Sequence, residues 1–136
     1  MMTKEIEKVL ERYPIYTQDG LMGDAKVICY YFYPMNDSTW IVTEGERTEG
    51  GDWEFFGLVK LQEWEWGYFR LSDIEAASRE LPIPIEREIY TRPLSRTVRE
   101  LATGCPEYLL APRKEAPCEE APQGWSAAGA GQQVLF

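Results

Sequence analysis

The sequence predicts an α+β domain: a curved antiparallel sheet of four to five strands covered by two to three short helices. Three observations predict it. Most of the aromatic residues fall between Tyr30 and Phe69, threaded with acidic ones, as in a sheet with one apolar face and a charged rim. Turn-forming residues cut this stretch into pieces of strand length. Helical spacing of apolar residues is confined to short segments before and after it.

Thr3 to Arg12 reads as a helix capped by Thr3, with Ile6, Val9, Leu10 and Tyr13 on one face and Pro14 ending it. Thr17-Gln18-Asp19-Gly20 is turn chemistry. Ala25 to Pro34 is the first strand, with Ala25, Val27, Cys29, Tyr31 and Tyr33 on one side and Ile28, Tyr30 and Phe32 on the other. Apolar residues on both sides indicate a strand covered twice. Ser38 to Glu44 is the second strand, and Gly45 to Gly51 a polar loop. Asp52 to Leu61 and Trp64 to Leu71 form the third and fourth, joined at Gln62-Glu63. Gly57 and Gly67 inside these strands point to bulges or close backbone approach, which leaves barrel-like closure open. Ser72 and Glu75 fit a capping box for a helix to about Glu80. Glu86 to Tyr90 reads as a fifth, edge strand, and Leu94 to Thr103 as a last helix stopped by Gly104. The domain is therefore placed at 1–104. Residues 105–136, rich in Pro, Ala and Gly, are read as a disordered tail with an apolar end at Val134-Leu135-Phe136.

Charge narrows the functions. The chain carries a net −9, and residues 1–75 hold 7 basic against 15 acidic side chains, a balance of −8. Such a surface repels phosphate backbones and steers basic proteins toward it. The expected partner is thus a protein with a basic surface, not nucleic acid. There is no histidine, so Cys–His and Ser–His catalysis are excluded. No phosphate-cradling glycine loop stands between a strand and a helix, and no cofactor is implied. Three cysteines without zinc spacing or a signal peptide fit a reducing cytoplasm, and no apolar run approaches the roughly 20 residues of a membrane span.

Glu44, Glu46, Asp52 and Glu54 gather around one strand–loop–strand unit. If the flanking strands pair, Glu44 and Asp52 approach each other, and two close carboxylates bind Mg²⁺ or do acid–base work. Solvated charge on the sheet rim is the plainer reading. Trp64 and Trp66 share one face of their strand, so both are packed or both are presented as anchors for a partner. Arg92, Arg96 and Arg99 follow helical spacing and make a basic stripe that pairs with neighbouring acids or receives an acidic group.

Several short segments carry a family resemblance: Tyr16-Thr17-Gln18-Asp19, Asp24-Ala25-Lys26-Val27-Ile28, Thr39-Trp40, Thr43-Glu44-Gly45, Asp52-Trp53, Phe55-Phe56-Gly57-Leu58-Val59, Gly67-Tyr68-Phe69 with Leu71, and Pro84-Ile85-Glu86-Arg87. In this order they resemble the bacterial domain-of-unknown-function family 2958, over roughly Tyr13 to Thr91. The resemblance implies an association with plasmids, phages and integrative elements, and it carries over no catalytic residue. The function expected is an acidic protein-binding module that engages a basic surface through Glu44, Glu46, Asp52, Glu54, Trp64 and Trp66. In that setting it would inhibit a host nucleic-acid-binding or defence protein. The alternatives are a carboxylate-dependent metal hydrolase acting on a phosphate ester, with Glu44 and Asp52 as the metal pair, and an accessory subunit.

Overall fold

A computed structural model describes residues 1–113. Helix α1 spans Lys4–Leu10, and the Thr3 side chain accepts a hydrogen bond from the Ile6 amide as the sequence predicts. A short 3-10 turn, Met22–Asp24, precedes strand β1, Cys29–Phe32. Strands β2, Thr39–Arg47, β3, Trp53–Lys60, and β4, Trp64–Arg70, follow as a meander. Helix α2 covers Leu71–Glu80, strand β5 is Glu86–Arg87, and α3, Val98–Leu101, and α4, Glu107–Leu110, close the described chain.

All pairings are antiparallel, in the order β4-β3-β2-β1-β5. The sheet is open, so the barrel-like alternative does not form. One face packs Val42, Trp53 and Phe55 against Ile6, Leu10, Leu71 and Ile74 of α1 and α2. The other packs Ile41, Leu58 and Trp66 against Val98, Ala102 and Leu110. Coverage on both faces explains why β1 reads as apolar throughout.

Several boundaries differ from the sequence reading; the fifth strand, expected to reach Tyr90, ends at Arg87. β2 runs through Gly45 to Arg47, where a polar loop is expected. Gly45 faces Leu10 and Phe55 where α1 crosses, so its missing side chain serves packing, not a turn. Ile28 and Cys29 are adjacent yet lie in the same apolar cluster, while Ala25 and Val27 lie in the other. The first strand thus changes face, and its Ala25–Val27 half pairs outside the main sheet. There Val27 donates to the Arg96 carbonyl, and Leu94 and Val98 donate to the Val27 and Ala25 carbonyls. This pairing holds residues 94–97 extended, with Leu94 at a φ of 68°, and shortens the last predicted helix to Val98–Leu101. Thr97 and Glu100 form its capping box.

The folded unit also continues past Gly104. The Leu110 side chain is buried, and the Leu109 carbonyl accepts a 2.7 Å hydrogen bond from the Trp66 indole. The Arg113 amide reaches the Gly20 carbonyl. A boundary at 104 therefore falls short by one helix, because Leu109 and Leu110 supply apolar cover that the prolines around them obscure. The rest of the expected tail, 114–136, lies outside the described residues.

β2 holds one irregularity with wide effect. Its register with β3 shifts between Val42 and Glu44, leaving Thr43 as an extra residue. Gly57 sits opposite, and a Cβ built there would lie 1.7 Å from the Ile41 carbonyl oxygen. No rotamer relieves a clash of backbone on backbone, so Gly57→Ala must displace β2. We expect this variant to lose at least about 2 kcal/mol of stability; urea denaturation followed by tryptophan fluorescence measures it.

Candidate functional site

The bulge at Thr43 sets up the site. Strict alternation from Val42 would direct Glu44 to the face that packs against α1, where a carboxylate has no partner. The extra residue reverses the alternation. Gly45 then faces Leu10, and Glu44 turns to the opposite side. There Glu44 is only 2% exposed, and its carboxylate accepts hydrogen bonds from two backbone amides, those of Tyr16 and Gln18, the latter at 2.9 Å. Burial raises the Glu44 carboxyl above its ordinary range, and the two amides pull it back toward the charged form.

Gln18 completes the anchor. Its amide group donates to the carbonyls of Thr43, at 2.7 Å, and Lys26, at 2.8 Å, and its carbonyl accepts from the Lys26 amide at 2.7 Å. The carbonyl that the bulge frees at Thr43 is thereby satisfied, as a buried polar group must be. The loop 14–20 is thus fixed at both ends of one side chain.

The fixed loop presents Tyr16, which is 69% exposed and has a φ of 81°. A non-glycine residue in this region costs about 1–3 kcal/mol, and the Glu44 and Gln18 bonds hold it there. The Tyr16 and Tyr68 hydroxyls lie 3.5 Å apart. Burial, then the Tyr16 hydroxyl and the nearby Glu44 and Asp19 charges, push the Tyr68 phenol up from its usual value. Ile15, Tyr16, Glu46, Glu54 and Tyr68 line a shallow concavity of about 410 Å³. Glu46 and Glu54 stand directly opposite each other across β2 and β3, with Arg70 opposite Glu54 on the far side.

The other expected site residues go elsewhere. Asp52 does not approach Glu44. Glu44 opposes Phe56, so Asp52 lies about 13 Å further along the hairpin at ~3.3 Å per residue. Asp52 instead continues the β3–β4 register to Ser72. Its carboxylate accepts from the Ser72 amide at 3.1 Å and the Ser72 hydroxyl at 2.6 Å, and also from the Trp53 amide. Ser72 is therefore not the cap of α2. Arg70 holds that position, Asp73 accepts from its amide, and Asp52 serves the first turn from a neighbouring strand. With Glu44 given to amides and Asp52 to α2, the pair does not make a metal site. Among the described residues no group of three or more metal-ligating side chains converges.

Trp66 is 6% exposed, stacked near Phe56 and bonded to Leu109, and Trp64 packs half-buried beside it. Both are packed, so neither is presented as an anchor. The arginines do not form a helical stripe: Arg96 meets Glu100 at 4.0 Å, and Arg99 meets Glu107 at 2.7 Å and Asp24 at 3.6 Å. Cys29 is buried as expected, and burial pushes its thiol up to about 12, away from nucleophilic chemistry. Residue type alone does not single out Tyr16 and Gln18. Their signal is the motif Tyr16-Thr17-Gln18-Asp19, which reads as a turn unless the bulge is known, and Tyr68 belongs to the separate motif Gly67-Tyr68-Phe69.

A family model described as a protein of unknown function (DUF2958) matches residues 1–108. The chain belongs to that family. The match takes in α1 and reaches α4, beyond the span of the short motifs. No curated protein and no solved structure matches the chain. Among the described residues, no helix of this family member is long and apolar enough to cross a membrane.

The bonds to Ser72 and Trp53 hold the Asp52 carboxyl below its usual range. A depressed folded-state value stabilises the fold above the unfolded pKa of 3.8 and loses that effect as pH falls through the folded value. Asp52→Ala should therefore cost about 1 kcal/mol at pH 7. Its difference from the unaltered protein should shrink toward zero below pH 3.8. Denaturant midpoints across pH 2–7 check both expectations.

Proposed function

We propose that this protein is a non-catalytic binding module that docks on a basic surface of another protein through the concavity at Tyr16, Glu46, Glu54 and Tyr68. One observation carries the reading: Glu46 and Glu54 are direct cross-strand neighbours. Like charges in that position destabilise a sheet by about 0.2–1 kcal/mol. They sit beside a tyrosine held at unfavourable φ. Two local costs at one exposed spot are what a surface shaped for a partner carries. Arg or Lys from the partner would relieve the repulsion, and two tyrosine rings would flank the cation.

The negative balance of residues 1–75 supports the same direction, since it accelerates encounter with a positive partner. A protein whose basic groove ordinarily takes nucleic acid fits this chemistry well, and occupation of the groove would compete with nucleic acid. For a protein of a mobile element in the cytoplasm, a host nucleic-acid-binding or defence protein is the natural target. A phosphate-ester hydrolase draws no support from the site, because Glu44 and Asp52 are apart and each carboxylate is engaged.

The test compares two variants of equal net charge. Glu46→Gln/Glu54→Gln neutralises the concavity, and Glu5→Gln/Glu80→Gln neutralises exposed acids elsewhere. The proposal expects the unaltered protein and the Glu5/Glu80 variant to retain the same basic protein from a bacterial lysate, releasable by salt. The Glu46/Glu54 variant should retain about tenfold less. Equal retention by both variants would mean that the concavity is not the docking surface.

A further inference from the structure

β4 is an outer strand. β3 occupies one side of it, and among the described residues no strand pairs with the other. Natural sheets protect such an edge with charged side chains, above all lysine, or with proline, a bulge or a very short strand. β5, at the opposite edge, is two residues long. β4 carries exposed charge at Glu65 and Arg70 and none of the other devices: its seven residues run in unbroken register with β3, without proline or lysine. Gly67 at its centre keeps the surface low.

A cleft of about 630 Å³ opens on the sheet face that carries Glu65 and Gly67 and runs inward from β4, past Val59 of β3, to Trp40 of β2. Glu63, Trp66 and Tyr68 complete its lining on the β4 side. The Glu63 and Glu65 side chains are exposed, and among the described residues neither forms an ion pair.

We propose that the free edge of β4 binds an extended basic peptide segment of a partner as a sixth strand. Its backbone would pair with the open N–H and C=O groups of β4, and alternate Lys or Arg side chains would meet Glu63 and Glu65 in the cleft. Charge selects this occupant. A second copy of the chain would bring its own Glu63 and Glu65 and a further net charge of −9. A cation on the other side of the added strand would lie over the exposed Tyr68 ring. The inference rests on the reading of the protein as a binder of basic surfaces. It adds main-chain pairing at β4 to side-chain charge at Glu46 and Glu54.

The test uses the full chain, labelled with ¹⁵N, and a blocked heptapeptide, Lys-Thr-Lys-Val-Lys-Thr-Lys. A copy N-methylated at alternate residues keeps the charge but cannot pair, and a copy with Glu for Lys keeps the pairing groups but reverses the charge. The proposal expects the first peptide to slow exchange of alternate β4 amides at least about tenfold. N-methylation should weaken binding by about tenfold or more. Glu63→Gln/Glu65→Gln should weaken it about fivefold. The Glu peptide should not bind, and Glu46→Gln/Glu54→Gln should leave heptapeptide binding within about twofold. Equal binding of the N-methylated copy overturns the proposal. So does β4 protection that grows with protein concentration without peptide, which would make a second copy the occupant, and so does the absence of any heptapeptide binding. Binding by charge alone that responds to Glu46→Gln/Glu54→Gln would overturn pairing at the edge while leaving the docking concavity standing.

Discussion

A carboxylate withdrawn from water is tolerated only where hydrogen bonds replace its hydration. In this protein that constraint falls on Glu44, and the surrounding structure follows from meeting it. The bulge at Thr43 turns Glu44 away from the α1-covered face. The carboxylate then gathers the Tyr16 and Gln18 amides, and Gln18 in turn satisfies the carbonyls of Thr43 and Lys26. Gly57 answers the same irregularity from the next strand, where the backbone passes too close for any Cβ. A single inserted residue thus links α1 packing, the 14–20 loop and the close approach of β3 at Gly57.

The proposed function rests on what that anchor leaves on the surface. An internal carboxylate stabilises a loop, and the loop presents a strained, exposed tyrosine next to two opposed glutamates. Asp52 has a comparable internal task at the start of α2. These six acids therefore divide in two: Glu44 and Asp52 bond to backbone amides that hold the fold, while Glu46, Glu54, Glu63 and Glu65 form no ion pair among the described residues. Histidine is absent from the chain, and burial pushes the Cys29 thiol up to about 12.

Much of the architecture was legible in the sequence, because alternation and turn residues act locally. The four main strands, the Thr3-capped helix, the short fifth strand and the burial of Cys29 followed from those signals. What was illegible depended on register. Nothing in Val42-Thr43-Glu44 announces an extra residue, so Glu44 was expected near Asp52 on an open rim. The same gap hid Asp52 as a partner for Ser72, since that contact spans two strands. The helix expected from Leu94 has sound apolar spacing, yet backbone bonds to Ala25 and Val27 outcompete it over its first turn. Leu109 and Leu110 were masked by proline-rich surroundings, which composition reads as a tail.

The central claim is that the Glu44 carboxyl group holds the loop through the Tyr16 and Gln18 amides. Amide hydrogen exchange of the unaltered protein, read residue by residue by NMR at neutral pH, tests this most directly. The account predicts that both amides exchange at least about a hundredfold more slowly than unstructured ones, despite their place in a surface loop. Exchange of both at the rate of free loop amides would contradict it.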